Sequence, residues 1–265
     1  MAIVTGADRL KTVGRALEGV GGISAFIKKG DRVAIKVNAA FATPAMLSAT
    51  TNPELAAELV RLCLAAGARS VAVLDNPIND AESCFALTGI GEAVRKAGAQ
   101  VIMPREGLFR RVTLAGGRLI RDWPAFTEPL ARADKLIGVT PLKHHSRSGA
   151  SMTMKNFYGL LGGRRNRFHQ DINGIIMELA QLVRPTFVVL DGTTAMMTNG
   201  PTGGSLADLK ATNTMIVSTD PVAADAFGAT VLGNRASDLP YIGRAAAAGA
   251  GIADFESLKP MRARV

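Results

Sequence analysis

Residues 33–75 read VAIKVNAAFATPAMLSATTNPELAAELVRLCLAAGARSVAVLD, and the fold class follows from the order of signals inside them. The β-branched run Val33-Ala34-Ile35-Lys36-Val37-Asn38 predicts a strand. Asn52-Pro53 joins an N-cap residue to proline at the first helical position, which predicts a helix reaching Ala66 with Gly67 as its terminator. SVAVLD, ending at Asp75, reads as a second strand. Strand, helix and strand in this order form the unit from which parallel sheets are built.

The alternation continues outward. A helix is predicted over residues 81–97, a strand over 101–104, a hairpin over 111–120 around Gly116-Gly117, and a buried strand over 135–140. Ile172, Ile175, Ile176, Leu179 and Val183 recur at helical spacing, so 171–183 reads as an amphipathic helix that Pro185 stops. TFVVLD (186–191) and MIVSTD (215–220) are further strands, and Asp220-Pro221 opens a helix toward Leu232. The expectation is a single α/β domain over residues 1–265, with a mainly parallel, doubly wound sheet, flanking helices and a small β-hairpin insertion.

Composition narrows the partners. The 265 residues are 48% hydrophobic, with 28 glycines and 5% aromatics, a mix that lets helices sit closely on a sheet. A net charge of +9 favours anions. With one Trp and two Tyr there is no aromatic platform for nucleic-acid bases, so a small phosphate or carboxylate ligand fits better. Cys63 and Cys84 lack CxxC spacing, so this chain alone supplies no iron–sulfur cluster and no structural zinc site. Cys63, inside LVRLCLAAGA, reads as a buried thiol, and pairing of the two cysteines stays open. No apolar run approaches the roughly 18 residues of a membrane helix. No signal peptide is visible, so the cytoplasm is the expected compartment, and export with a signal absent from this sequence is the alternative. Oligomeric state is left open.

Residues 136–170 contain no Asp or Glu, yet hold Lys143, Arg147, Lys155, Arg164, Arg165 and Arg167 and all three histidines, His144, His145 and His169. Such a run suits a buried anion, or a metal with an anionic ligand. Three strands end in aspartate, at Asp75, Asp191 and Asp220, and two in other polar groups, Lys36 with Asn38 and Lys143 with the two adjacent histidines. Ligands of open parallel sheets sit beyond the carboxyl ends of the strands. If these strands are parallel, all five sets converge on one mixed-charge cleft.

Each candidate has a plainer reading beside the functional one. Lys155-Asn156 is either a solvated lysine with an asparagine cap, or an anion clamp whose lysine has a depressed pKa. His144 and His145 are adjacent and point apart; His145 with His169 is either a structural pair, a proton relay or a metal pair. A divalent metal would take His145, His169, Asp75, Asp191 and Asp220 as candidate ligands. Gly162-Gly163-Arg164-Arg165-Asn166-Arg167 is a solvated basic turn or a lid bringing Arg164 and Arg167 onto anionic oxygens. The loop Gly200-Pro201-Thr202-Gly203-Gly204 matches no Walker or dinucleotide motif; Gly200 and Gly203 are candidates for a backbone anion cradle. Asp220 is sufficiently explained as a helix cap, and Asp225 either faces the cleft or favours its helix N-terminus. Asp191 has no obvious local duty and is the preferred functional carboxylate.

VAIKVN, TNPEL, PLKHHSRSGASMTMKNFYGLL, VVLDG, NGPTGG and STDPVAADAFG together resemble the family known as domain of unknown function 362. The resemblance places His145 at the family's recurrent histidine. Lys36, Asn38, Lys143, Lys155, Asn156, His169, Asp191, Gly200, Pro201, Asp220 and Asp225 fall on other recurrent positions. Many members carry ferredoxin-like cysteine clusters or twin-arginine export signals, and this chain resembles the single-domain form without them. The leading expectation is an enzyme acting by proton transfer on a small anionic substrate or cofactor. Lys155, His145, His169 and Asp191 would be catalytic, with Lys36, Asn38, Lys143 and Asn156 holding the ligand. The alternative is a non-catalytic cofactor- or metal-binding module serving a redox protein.

Overall fold

A computed structural model describes residues 1–265. Its strands are β1 (Ala2–Thr5), β2 (Arg32–Lys36), β3 (Ser70–Leu74), β4 (Gln100–Ile102), β5 (Arg110–Val112), β6 (Trp123–Ala125), β7 (Lys135–His145), β8 (Gly149–Ser151), β9 (Phe187–Met196), β10 (Leu209–Ser218) and β11 (Met261–Arg264). The helices are α1 (Arg9–Glu18), α2 (Ile23–Phe26), α3 (Pro53–Ala65), α4 (Ala81–Leu87), α5 (Ile90–Lys96), α6 (Glu128–Ala131), α7 (Thr153–Asn156), α8 (Ile172–Leu182), α9 (Pro221–Val231) and α10 (Pro240–Ala247). One nine-stranded sheet has the order β11-β1-β10-β9-β7-β2-β3-β4, with β8 paired to β7 off this path.

Alternation along the strands builds two cores. Val33, Ile35, Val71, Val73, Phe187 and Val189 face one side, where α1, α3 and α5 cover them. Ala34, Leu74, Val188 and Leu190 face the other, against α8, α9 and α10. Parallel strands covered on both faces are apolar almost throughout, as these are. The local signals for α3 hold: the Asn52 side chain accepts from the Glu54 and Leu55 amides, and Gly67 sits at φ +93°, a conformation that favours glycine.

Three expectations change. The helix expected over 81–97 is two helices, divided at Gly89 with φ +75°. The hairpin is wider than its turn signal implied: β5 pairs with β6 across residues 113–122, and 111–120 is mostly the connection. The third change bears on function. β7, β9, β2, β3 and β4 are mutually parallel, but β10 runs antiparallel to β9. No helix lies between β9 and β10 beyond one short turn, and a parallel partner would need a long crossover. Asp220, at the end of β10, therefore lies at the edge opposite the carboxyl ends of β2, β3 and β7.

Candidate functional site

The site forms where β7 outruns its neighbours. Its last residues fold back on β8, pairing Lys143 with Ser151 and His145 with Gly149. Period two puts Lys143 and His145 on one side and His144 on the other, where His144 Nδ1 accepts the Gly200 amide at 3.1 Å. A Cβ on Gly200 would lie 1.9 Å from the His144 carbonyl oxygen, so only glycine lets this loop reach β7. The result is a pocket of about 140 Å³ lined by Lys143, His145, Lys155, Tyr158, Arg165 and His169, with Lys36, Asn38, Asp75, Asn156 and Pro201 among the other walls. A cavity of roughly 150 Å³ holds a benzene-sized ligand, which sets the scale.

Lys36 and Asp75 end adjacent parallel strands and form a fully buried ion pair at 2.6 Å. Lys36 Nζ also donates to the Val37 carbonyl at 2.6 Å and to Asn156 Oδ1 at 3.3 Å, so its three hydrogens are taken. Burial lowers the Lys36 pKa against the opposing pull of Asp75. Asp75 also accepts the amides of Ala39 and Asn76. Asn156 uses its amide group to bridge the Lys36 and Val139 carbonyls, tying β2 to β7. This trio is a brace for the pocket and has no donor left for a ligand. It requires glycine at 159, where a Cβ would sit 2.3 Å from Asp75 Oδ1 and 2.9 Å from Lys36 Nζ. We expect Gly159→Ala to lose about 2–3 kcal/mol in denaturant unfolding, because neither charge has room to move. An unchanged midpoint would show that the brace yields.

The cations with spare donors are different ones. Lys143 Nζ donates to the Ala49 carbonyl and, at 3.1 Å, to that of Pro201, leaving one hydrogen. Burial and the nearby Lys155 push its pKa down to about 7. Lys155 lies 5.1 Å from the Tyr158 ring centroid and donates to no protein acceptor; burial and Arg165 push its pKa down to about 8. Arg165 spans the wall, with its guanidinium on the Asn76, Leu161 and Pro77 carbonyls. Four cations thus surround one carboxylate. Excess positive charge in a low-dielectric recess is the condition under which an anion is bound strongly.

The two pocket histidines carry opposite tautomers. His145 Nδ1 accepts the amides of Arg147 and Ser148 at 3.1 and 3.3 Å, so its proton sits on Nε2. Burial, followed by Lys155 and Lys143, holds its pKa down to about 2, and the ring stays neutral. His169 Nδ1 lies 3.1 Å from the Asn166 carbonyl, which can only accept, so this proton sits on Nδ1 and Nε2 keeps its lone pair. The Tyr158 hydroxyl gives its hydrogen to the Arg165 carbonyl and accepts from His169 at 3.2 Å. Burial lowers the His169 pKa, so this ring too is neutral near pH 7. The rings stack at 6.3 Å and 17°.

Other sequence candidates fall elsewhere. Asp191 shares the face of Phe187 and Val189, where Arg9 of α1 meets its carboxylate at 2.7 Å and the Thr193 amide donates to it. It does not line the pocket, and its duty is to fasten α1 to the sheet. Asp220 caps α9 and accepts the Ile252 amide at the far edge. Of the five side chains considered as metal ligands, His145, His169 and Asp75 line the pocket while Asp191 and Asp220 do not, and no group of three or more His, Cys, Asp or Glu residues has metal-binding placement. Gly203, at φ +58°, shapes its loop against Met196, and Pro201 rather than either glycine reaches the pocket. Arg164 and Arg167 are exposed outside it, and the neighbour Arg165, not singled out from sequence, points in. Tyr158 was also missed; its position one helical turn beyond Lys155 was the available signal. Asp225 accepts the Thr153 amide and hydroxyl and the Met154 amide, so it docks the start of α7, the element bearing Lys155. Burial pushes its pKa up to about 7. Cys63 and Cys84 are buried and unpaired.

Residues 33–230 match the family described as "Domain of unknown function (DUF362)". A thylakoid-associated protein of Synechocystis sp. is 26% identical over 205 residues, which are 71% of this chain and 60% of that protein. Among solved structures, the lactate racemase apoprotein from Thermoanaerobacterium thermosaccharolyticum aligns at TM-score 0.50 and 14% identity, over 83% of this chain and 54% of that one. The chain therefore spans 60% of the relative and 54% of the solved chain, and the second likeness is one of fold. No helix is long and apolar enough to cross a membrane.

Proposed function

The chain belongs to the DUF362 family, and we propose that its pocket binds a small carboxylate or phosphate and acts on it as an enzyme by proton transfer. The observation that carries the reading is the pairing of free cationic donors with two neutral histidines of opposite tautomer in one recess of about 140 Å³. Lys155 and the remaining hydrogen of Lys143 hold the anionic oxygens, and His145 Nε2–H adds a neutral donor. His169 Nε2 is the base. For a carboxylate substrate, it takes the proton from the adjacent carbon while the bonding pair moves onto the carboxylate, giving an enediolate. That dianionic character is what Lys143, Lys155 and the His145 donor are placed to stabilise. The reverse step returns the proton.

Exchange with solvent deuterium tests this. Acetate, glycolate and propionate are incubated with the protein in deuterated buffer, and loss of the proton on the carbon next to the carboxylate is followed by NMR. We expect exchange for at least one acid, and its loss in His169→Gln with binding retained. The second reading, a non-catalytic anion carrier, is favoured if calorimetry shows binding of these acids while no carbon-bound proton exchanges.

A further inference from the structure

His169 also borders a second recess of about 560 Å³, lined by Arg147, Arg164, Asn166, Arg167, His169 and Gln170 and by no apolar residue. His169 belongs to both cavities. Surface arginines elsewhere on this protein are mostly matched with acids: Arg32 with Asp134, Arg111 with Asp122, Arg132 with Glu128 and Arg235 with Asp238. Arg147, Arg164 and Arg167 have no such partner and make no side-chain hydrogen bond; Arg167 only rests on the Trp123 ring at 5.6 Å. The next acid along the chain, Asp171, is already held by Arg118, Arg244 and the Gly174 amide. Three exposed guanidinium groups and two side-chain amides thus border a concave site with no counter-charge, beside an inner pocket that is itself cationic. Guanidinium clusters of this kind recognise phosphate oxygens, to which they offer paired hydrogens.

We propose that the physiological ligand has two anionic groups: a small head in the buried pocket and a phosphate ester seated on Arg147, Arg164 and Arg167. This rests on the proposed function for the head group, while the recess makes its own demand. A small phosphorylated molecule is favoured over a polyanion because the donors line a concavity that shares His169 with the pocket, not an extended track.

The test is calorimetric titration with glycolate, 2-phosphoglycolate, 3-phosphoglycerate, inorganic pyrophosphate and a short oligonucleotide, on wild type and on Arg164→Gln/Arg167→Gln. We expect one of the phosphorylated acids to bind at least about tenfold tighter than glycolate. The double variant should lose that advantage and keep its glycolate affinity; both substitutions are exposed and spare the fold, as a thermal melt will show. Equal affinities for glycolate and both phosphorylated acids, or an advantage that survives in the variant, overturn the proposal and leave the buried pocket standing. Oligonucleotide binding that the variant abolishes, without any phosphoester advantage, also overturns it in favour of a polyanion surface. If wild type binds no acid yet binds pyrophosphate through these arginines, the head-group reading fails and the phosphate recess stands. Binding of none of the probes overturns both.

Discussion

We expect Lys36→Met to lower the unfolding free energy by about 3–5 kcal/mol, and the same change at Lys155 to raise it at pH 7 by on the order of 1–2 kcal/mol. Both lysines line one pocket, Lys36 fully buried and Lys155 half-buried, and that difference does not set opposite signs. Their partners do. Removing Lys36 leaves Asp75 charged, desolvated and without its 2.6 Å counter-ion, with Asn156 Oδ1 also orphaned. Breaking one side of a buried pair costs more than the pair contributes. Lys155 satisfies no protein acceptor, so its removal orphans nothing, and the unfavourable burial that pushes its pKa down to about 8 is relieved. Methionine keeps the contact with Tyr158. A group that destabilises the empty protein and is kept is what a binding site requires. The same Lys155→Met variant should therefore bind glycolate or inorganic phosphate at least about hundredfold more weakly, a loss of about 2.7 kcal/mol. Chemical denaturation and calorimetry on the two variants decide this. A Lys155→Met protein less stable than wild type would mean that the lysine is structural and the pocket reading is wrong.

What sequence could and could not tell follows from the range of the interactions. The β2–α3–β3 unit was readable because its signals are local: an Asn52-Pro53 cap, a terminating Gly67 and two β-branched runs. The antiparallel course of β10 was also readable in principle, from the missing helix between residues 191 and 215. That antiparallel course carries Asp220 to the edge away from the pocket. Asp191 is different in kind. Its partner Arg9 is 182 residues away, and nothing near either residue announces the pair. Lys36 likewise looked like a ligand group because Asn156, which takes one of its hydrogens, is 120 residues distant. The acid-free run marked the right segment, since Lys143, His145, Lys155, Arg165 and His169 all reach the pocket. Which arginine of 164, 165 and 167 turns inward depends on the short helical turns over 165–171, below the resolution of residue spacing.

The affinity of the pocket for an anion should fall steeply with pH between about 7 and 9, and binding near pH 8 should take up protons. Lys143 and Lys155 lose their protons at about 7 and about 8 in the empty pocket, where an ordinary lysine does so near 10.4. An anion between them favours the charged forms and raises both pKa values. In the window between the free and bound values the complex therefore holds more protons than the empty protein, so raising pH favours dissociation. One proton taken up corresponds to about a tenfold loss of affinity per pH unit, and two protons to more. The other groups facing the two ammonium ions do not confuse the window. His145 is neutral far above its pKa of about 2, His169 is lowered and already neutral, and the Tyr158 phenol, pushed up to about 12 by burial, keeps its proton. The measurement is titration with glycolate, whose charge is constant across this range, in buffers of differing ionisation enthalpy. Wild type should show heats that depend on the buffer, and Lys155→Gln a shallower pH slope in whatever binding remains. Affinity independent of pH from 7 to 9, with buffer-independent heats, would mean that neither lysine contacts the anion and that Arg165 alone supplies the charge.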